Sequence, residues 1–101
     1  MLGFSDRVVV PQHVLVRHLD GESVLLNLET EKYFGLDATG TRMWELATHS
    51  PSLQMAHAQL THEFDVEPGV LRNHLVELLG QLVDNGLLQV IPADVESITA
   101  I

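Results

Sequence analysis

Residues 20–46 read D-G-E-S-V-L-L-N-L-E-T-E-K-Y-F-G-L-D-A-T-G-T-R-M-W-E-L, and this stretch decides the fold. Val24, Leu26 and Leu28 alternate with Ser23, Leu25 and Asn27, so the pattern predicts a strand whose Val24–Leu26–Leu28 face is apolar throughout. Glu29-Thr30-Glu31 interrupts the run, and Lys32-Tyr33-Phe34-Gly35-Leu36 resumes it as a second strand. Phe34 and Leu36 share one side of that strand; Tyr33 and Gly35 share the other. Asp37 then caps a helix whose first apolar cluster is Met43, Trp44, Leu46 and Ala47.

Working outward, residues 13–19 predict an earlier strand. Asp20-Gly21 joins it to the next as a two-residue hairpin, because a type I′ turn needs positive φ at both central positions. A three-stranded antiparallel meander over residues 13–36 is too small to stand alone and needs helices on one face. Three helices follow. The first covers residues 38–48. Ser52 caps the second, in which Leu53, Ala56, Leu60 and Phe64 recur on one side. Pro68 opens the third at a position where its missing N–H costs nothing, and Asn85-Gly86 ends it with a left-handed cap. Residues 87–91 predict a short strand closed by Pro92. The pairing of residues 8–10, interrupted by Pro11, stays open. The expected fold is α+β and winged-helix-like: a three-stranded antiparallel β-meander followed by three α-helices. It forms one domain over residues 1–92, with a tail, 93–101, expected to be flexible.

The third helix carries more apolar surface than one packing partner requires. Leu71, Leu75, Leu78 and Leu82 form one stripe, and Val76, Leu79 and Val83 form a second beside it. Two readings stand. Either the helix is sandwiched between the sheet and the other helices, or one stripe faces the core while the other lines a groove beside an exposed strand. A groove of that kind takes an extended peptide by β-augmentation.

Composition removes several function classes. The chain has no cysteine, which excludes a thiol nucleophile, a disulfide scaffold and cysteine-based metal sites. No metal or other cofactor is expected, since the six histidines (His13, His18, His49, His57, His62, His74) include no H-x-x-x-H pair. No serine lies in a G-x-S-x-G turn, and Gly35 and Gly40 are too sparse for a phosphate loop, so no catalytic residue is assigned and no enzyme is expected. Fourteen acidic against five basic residues give a formal charge of −9, which opposes nucleic-acid binding. A winged-helix DNA-binding regulator is the weaker rival on that ground. No apolar run reaches membrane-spanning length and the N-terminus lacks a signal-peptide pattern, so a cytoplasmic protein without membrane contact is expected.

The order of strand, D-G turn, strand, K-Y-F-G-L-D-A-T-G-T-R-M-W-E-L, L-T-H-E-F-D-V and L-R-N-H-L-V-E-L-L-G-Q-L-V-D-N-G-L-L resembles the PqqD-like family, also called the RiPP precursor peptide recognition element. The resemblance spans about residues 8–90 and is most specific at 33–44 and 86–88. It implies a non-catalytic protein that binds the leader of a ribosomal precursor peptide as a further antiparallel strand and presents it to a maturation enzyme. Carried onto this chain, the leader-binding residues are Lys32, Tyr33, Phe34, Gly35 and Leu36 on the strand, with Arg72, Leu75, Val76, Leu79 and Val83 on the helix. The Y-F-G-L-D-A-T-G-T-R-M-W run is more similar to free-standing lasso-peptide proteins, whose partner enzyme is a leader peptidase of the cysteine protease class. The alternative is a PqqD-type chaperone serving a radical SAM enzyme. The lasso branch implies a leader aromatic residue and a nearby proline held between Tyr33 or Phe34 and the third helix. A homodimer through the helical stripe is compatible with either branch.

Overall fold

In the computed structural model, which describes residues 3–93, eight elements follow one another. They are β1 (Arg7–Val9), β2 (Val14–Leu19), β3 (Glu22–Asn27), β4 (Lys32–Leu36), α1 (Ala38–His49), α2 (Leu53–Glu63), α3 (Pro68–Asp84) and β5 (Gln89–Ile91). The meander β2-β3-β4 is antiparallel throughout, and three helices follow it, as the sequence predicts. At the first hairpin Asp20 and Gly21 take φ of 52° and 83°, the left-handed pair a type I′ turn requires. The open question about the N-terminal valines is resolved by β1, which pairs with β5 in a separate two-stranded ribbon. The expected flexible tail lies outside the described residues, apart from Ala93. Among the described residues no helix is long and apolar enough to cross a membrane.

The helix boundaries follow local chemistry. Asp37 Oδ1 accepts from Gly40 N at 2.8 Å, and Ser52 Oγ accepts from Met55 N at 3.3 Å, each satisfying one orphan amide of a first turn. Gly86 has φ 69° just after α3, and the Cβ of any other residue there would fall 2.9 Å from Asn27 Nδ2. Glycine is therefore required twice over, by conformation and by space.

The apolar side of β3 is not its core side. The core face of β3 is Ser23, Leu25 and Asn27, all buried, while Val24, Leu26 and Leu28 point to the outer side. Cross-strand partners share a face, and Leu25 pairs with Phe34 while Ser23 pairs with Leu36. Leu36 must turn inward where the chain enters α1, so its partners turn inward with it. The two polar residues are accommodated because they are bonded. Thr41 Oγ1 donates to Ser23 Oγ at 3.0 Å, and Asn27 holds three backbone groups described below.

The core is shared by both layers. Leu25 and Leu36 from the sheet meet Met43, Trp44 and Ala47 of α1, Leu53 and Leu60 of α2, and Leu71, Leu75, Leu79 and Leu82 of α3. Each fully buried leucine contributes about 1.5–3 kcal/mol. α1 crosses beneath the sheet from β4 toward β2, placing Thr41 on Ser23 and the Trp44 ring 6.0 Å from that of His18. Arg42 of α1 clamps Glu63 of α2 through two N–H donors at 2.7 and 2.6 Å.

Candidate peptide-binding groove

The candidate site begins with an open strand edge. β4 pairs with β3 on one side, and among the described residues no strand pairs with it on the other. Its free backbone groups are ready to bond a further strand. Along β4, Lys32, Tyr33 and Gly35 are exposed, Phe34 is half-buried and Leu36 belongs to the core. Tyr33 is 76% exposed and stands on the outer face of the sheet, so of the two aromatic residues only Phe34 faces the helical side.

The helical residues expected at the site are divided between two environments. The buried stripe of α3 is Leu71, Leu75, Leu79 and Leu82, a set that takes members from both stripes read in the sequence. Leu75 and Leu79 are fully buried, so they form the core beneath the helix. Arg72 lies with its guanidinium 4.4 Å from the centre of the Phe4 ring, which also meets His57 edge-on at 5.5 Å. Val76 is 37% exposed and Val83 half-buried, and both share the Arg72 flank because 72, 76 and 83 recur at helical spacing. That flank is turned toward the N-terminal segment, which runs from Phe4 beside Arg72 to His13 beside Gly86.

The opposite flank of α3 carries His74, Leu78 and Gln81, which continue in helical spacing to the cap Asn85. His74, Leu78, Gln81 and Glu77 line a shallow cleft of about 290 Å³. Leu78 and Phe34 are both half-buried and rest on the common core, one from the helix and one from the sheet. Where this flank ends, a second cavity of about 450 Å³ is bounded by Asp84, Asn85 and Gly86 on one side. Thr30 and Lys32, at the start of β4, bound it on the other, with His13, Asn27 and Glu29. This cavity brings the C-terminal end of α3 next to the start of β4.

Asn27 holds the two walls in register. Its Nδ2 donates to Asn85 O at 3.1 Å, and its Oδ1 accepts from Glu29 N and Thr30 N at 2.9 and 3.2 Å. His13 Nε2 adds a contact of 3.1 Å to Gly86 O. Sequence reading overlooked this clamp, although a polar residue on the inward side of a half-buried strand is itself a sign of bonded partners. It also left Leu78 out of the helix wall that the resemblance implies, because Leu78 falls between Leu75 and Leu82 in a leucine series that spacing alone does not divide. The residues are hydrogen-bonding and apolar groups, and among those described no group of three or more His, Cys, Asp or Glu could hold a metal ion. The arrangement suits binding an extended apolar segment.

No curated protein sequence matches the chain. The structure described as "TbiB1 in Complex with the TbiA(beta) Leader Peptide" is 32% identical, with a TM-score of 0.74 over 80% of this chain and 94% of that one. A second, "Lasso peptide synthetase B1 complexed with the leader peptide", shares the fold at 24% identity and a TM-score of 0.70, over 85% of this chain and 99% of that one. The sequence profile of the family described as "Coenzyme PQQ synthesis protein D (PqqD)" matches residues 22–88, from the first residue of β3 to the buried Leu88 beyond α3. With two thirds of its length under that profile, the chain belongs to the PqqD family.

Proposed function

We propose that this protein is a non-catalytic binder of the leader segment of a ribosomal precursor peptide, of the lasso type, which it presents to a maturation enzyme. The observation that carries the reading is the unpaired β4 edge, whose start shares a cavity with the C-terminal end of α3. A leader adds antiparallel to Lys32–Leu36, bonds the free backbone groups, and sets alternate apolar side chains between Phe34 and Leu78. Its C-terminal end then leaves past Lys32 and the cavity at Asn85. Support comes from the 32%-identical TbiB1, solved with a leader peptide, and from the Y-F-G-L-D-A-T-G-T-R-M-W run. The leader pays an ordering cost on binding, and in return its attached core segment is held at high local concentration near the enzyme. The partner enzyme is a leader peptidase of the cysteine protease class.

Fluorescence polarisation with labelled leader peptides tests this, with a short DNA duplex at matched salt as control. Saturable binding to a leader containing an aromatic residue and a proline is expected, weakened about tenfold or more by Leu78→Lys with the circular dichroism spectrum unchanged. Silence with every leader, or salt-sensitive binding of the duplex instead, would overturn the reading.

A further inference from the structure

The turn that opens the meander also decides which backbone groups are left free at its far edge. In antiparallel strands, opposed residues that exchange both N–H···O bonds alternate with opposed residues that exchange none. A two-residue hairpin closes on a bonded pair, so Leu19 and Glu22, on either side of Asp20-Gly21, are bonded. Arg17 with Val24 and Leu15 with Leu26 follow in step. The next member of the series is seen directly, since Leu28 N donates to His13 O at 2.8 Å. Val24 and Leu26 therefore turn their backbone groups toward β2, and Ser23, Leu25 and Asn27 turn theirs toward β4. The Asn27 carbonyl agrees, because it accepts from Glu31 N at 2.8 Å.

Across the second interface, Ser23, Leu25 and Asn27 pair with Leu36, Phe34 and Lys32. Those three residues of β4 spend their N–H and C=O groups inside the sheet. Of the five residues of β4, only Tyr33 and Gly35 present theirs to the open edge, and both are exposed. The edge thus offers two donors and two acceptors, spaced one residue apart. A strand that answers all four does so with two residues of its own, also separated by one.

We infer that Tyr33 and Gly35 set the register of the bound leader, and that they do so through their backbones. The inference rests on the leader-binding reading given above. The leader residues facing Tyr33 and Gly35 must each keep an N–H, and their side chains stand on the outer side of the sheet with that of Tyr33. The residue between them faces Phe34. Its N–H points away from β4, and its side chain turns to the helical side of the sheet. Proline, which has no N–H, is therefore excluded at the two outer positions and admitted at the middle one. Nothing lies within 4 Å of the Cβ position at Gly35, so a leader backbone can close on this edge unobstructed there. Selection at the edge has a period of two: a backbone donor, a side chain, a backbone donor.

N-methylation of a labelled leader, one residue at a time, tests this on the wild-type protein by fluorescence polarisation. Two positions separated by one residue are expected to lose about tenfold or more in affinity, and the residue between them about twofold or less. Gly35→Pro removes a donor that no strand of the sheet uses, so it is expected to keep the circular dichroism spectrum and weaken the leader about tenfold or more. Phe34→Pro removes a ladder bond to Leu25 and should instead lower the urea midpoint. Amide hydrogen exchange needs no variant. Tyr33 and Gly35 should exchange fast in the free protein and slowly with the leader bound, while Phe34 is slow in both. A leader that binds yet leaves Tyr33 and Gly35 unprotected, or methylation losses that fall on adjacent residues, overturns the inference and leaves the leader reading standing. Failure of every leader to bind overturns the leader reading, and this inference with it.

Discussion

Asn27 Nδ2 donates to the carbonyl of Asn85 at 3.1 Å, and this bond joins the end of β3 to the cap of α3 across 58 residues of chain. Because the Asn27 Oδ1 also holds the β3–β4 turn, one buried side chain sets the spacing between the start of β4 and the end of α3. Asn27→Ala leaves these backbone groups without their partner and is expected to cost about 1–3 kcal/mol. Urea denaturation would measure the loss, and leader polarisation under native conditions should show weakened binding because the groove loses its clamp.

Gly86 should tolerate no side chain. With φ at 69° and Asn27 Nδ2 2.9 Å from the position of a Cβ, Gly86→Ala is strained by conformation and pushes the clamp apart. The conformational part alone is about 1–2 kcal/mol. A fall in urea midpoint larger than that of Gly35→Ala, where the space is open, is the expected result.

The division of α3 into core and flanks is separable by substitution. Leu79→Ala empties a fully buried site and should cost about 2–5 kcal/mol. Val76→Lys, on the flank turned toward the N-terminal segment, should change stability by about 0.5 kcal/mol or less and leave leader binding as in wild type. Loss of leader binding in a folded Val76→Lys protein would transfer the site to the Arg72 flank.

The α1–α2 clamp predicts an acid response. Its hydrogen bonds from Arg42 first, then from Gln59, lower the Glu63 carboxyl from 4.5 to about 2. The same bond raises the Arg42 guanidinium above its usual value. A carboxyl lowered by folding stabilises the fold fully above pH 4.5, and that contribution is lost as pH falls toward 2. Glu63→Gln should therefore be less stable than wild type at pH 6 and approach it near pH 2. Thermal melts across that range would check it, and a constant difference would remove Glu63 from the acid response.

Trp44 Nε1 is buried and has no hydrogen-bond partner among the described residues. Replacing the ring with one that lacks the donor removes a desolvation cost of about 1–3 kcal/mol while keeping most of the packing. Trp44→Phe is expected to lie within about 1.5 kcal/mol of wild type. Trp44→Ala should cost about 3–5 kcal/mol, and urea denaturation of the pair would separate ring packing from the N–H.

Local signals in the chain determined the elements and their ends. Asp20-Gly21 specified a left-handed hairpin, Asp37 and Ser52 specified helix starts, and Asn85-Gly86 specified a stop, because each acts through its own backbone and nearest neighbours. The periodic leucines likewise announced three packed helices behind a small sheet. Tertiary structure alone decided which sides of those elements are used. Ser23 and Asn27 point inward against their polarity because pairing ties them to Leu36 and Lys32, while Val24 and Leu26 are left on the outer face. Leu78 and Leu79 are adjacent leucines of equal hydrophobicity, and only the packing of sheet and helices leaves Leu78 half-buried and Leu79 fully buried. A strand face and a helix flank are assigned by what packs against them, and those partners come from distant parts of the chain that no local pattern encodes.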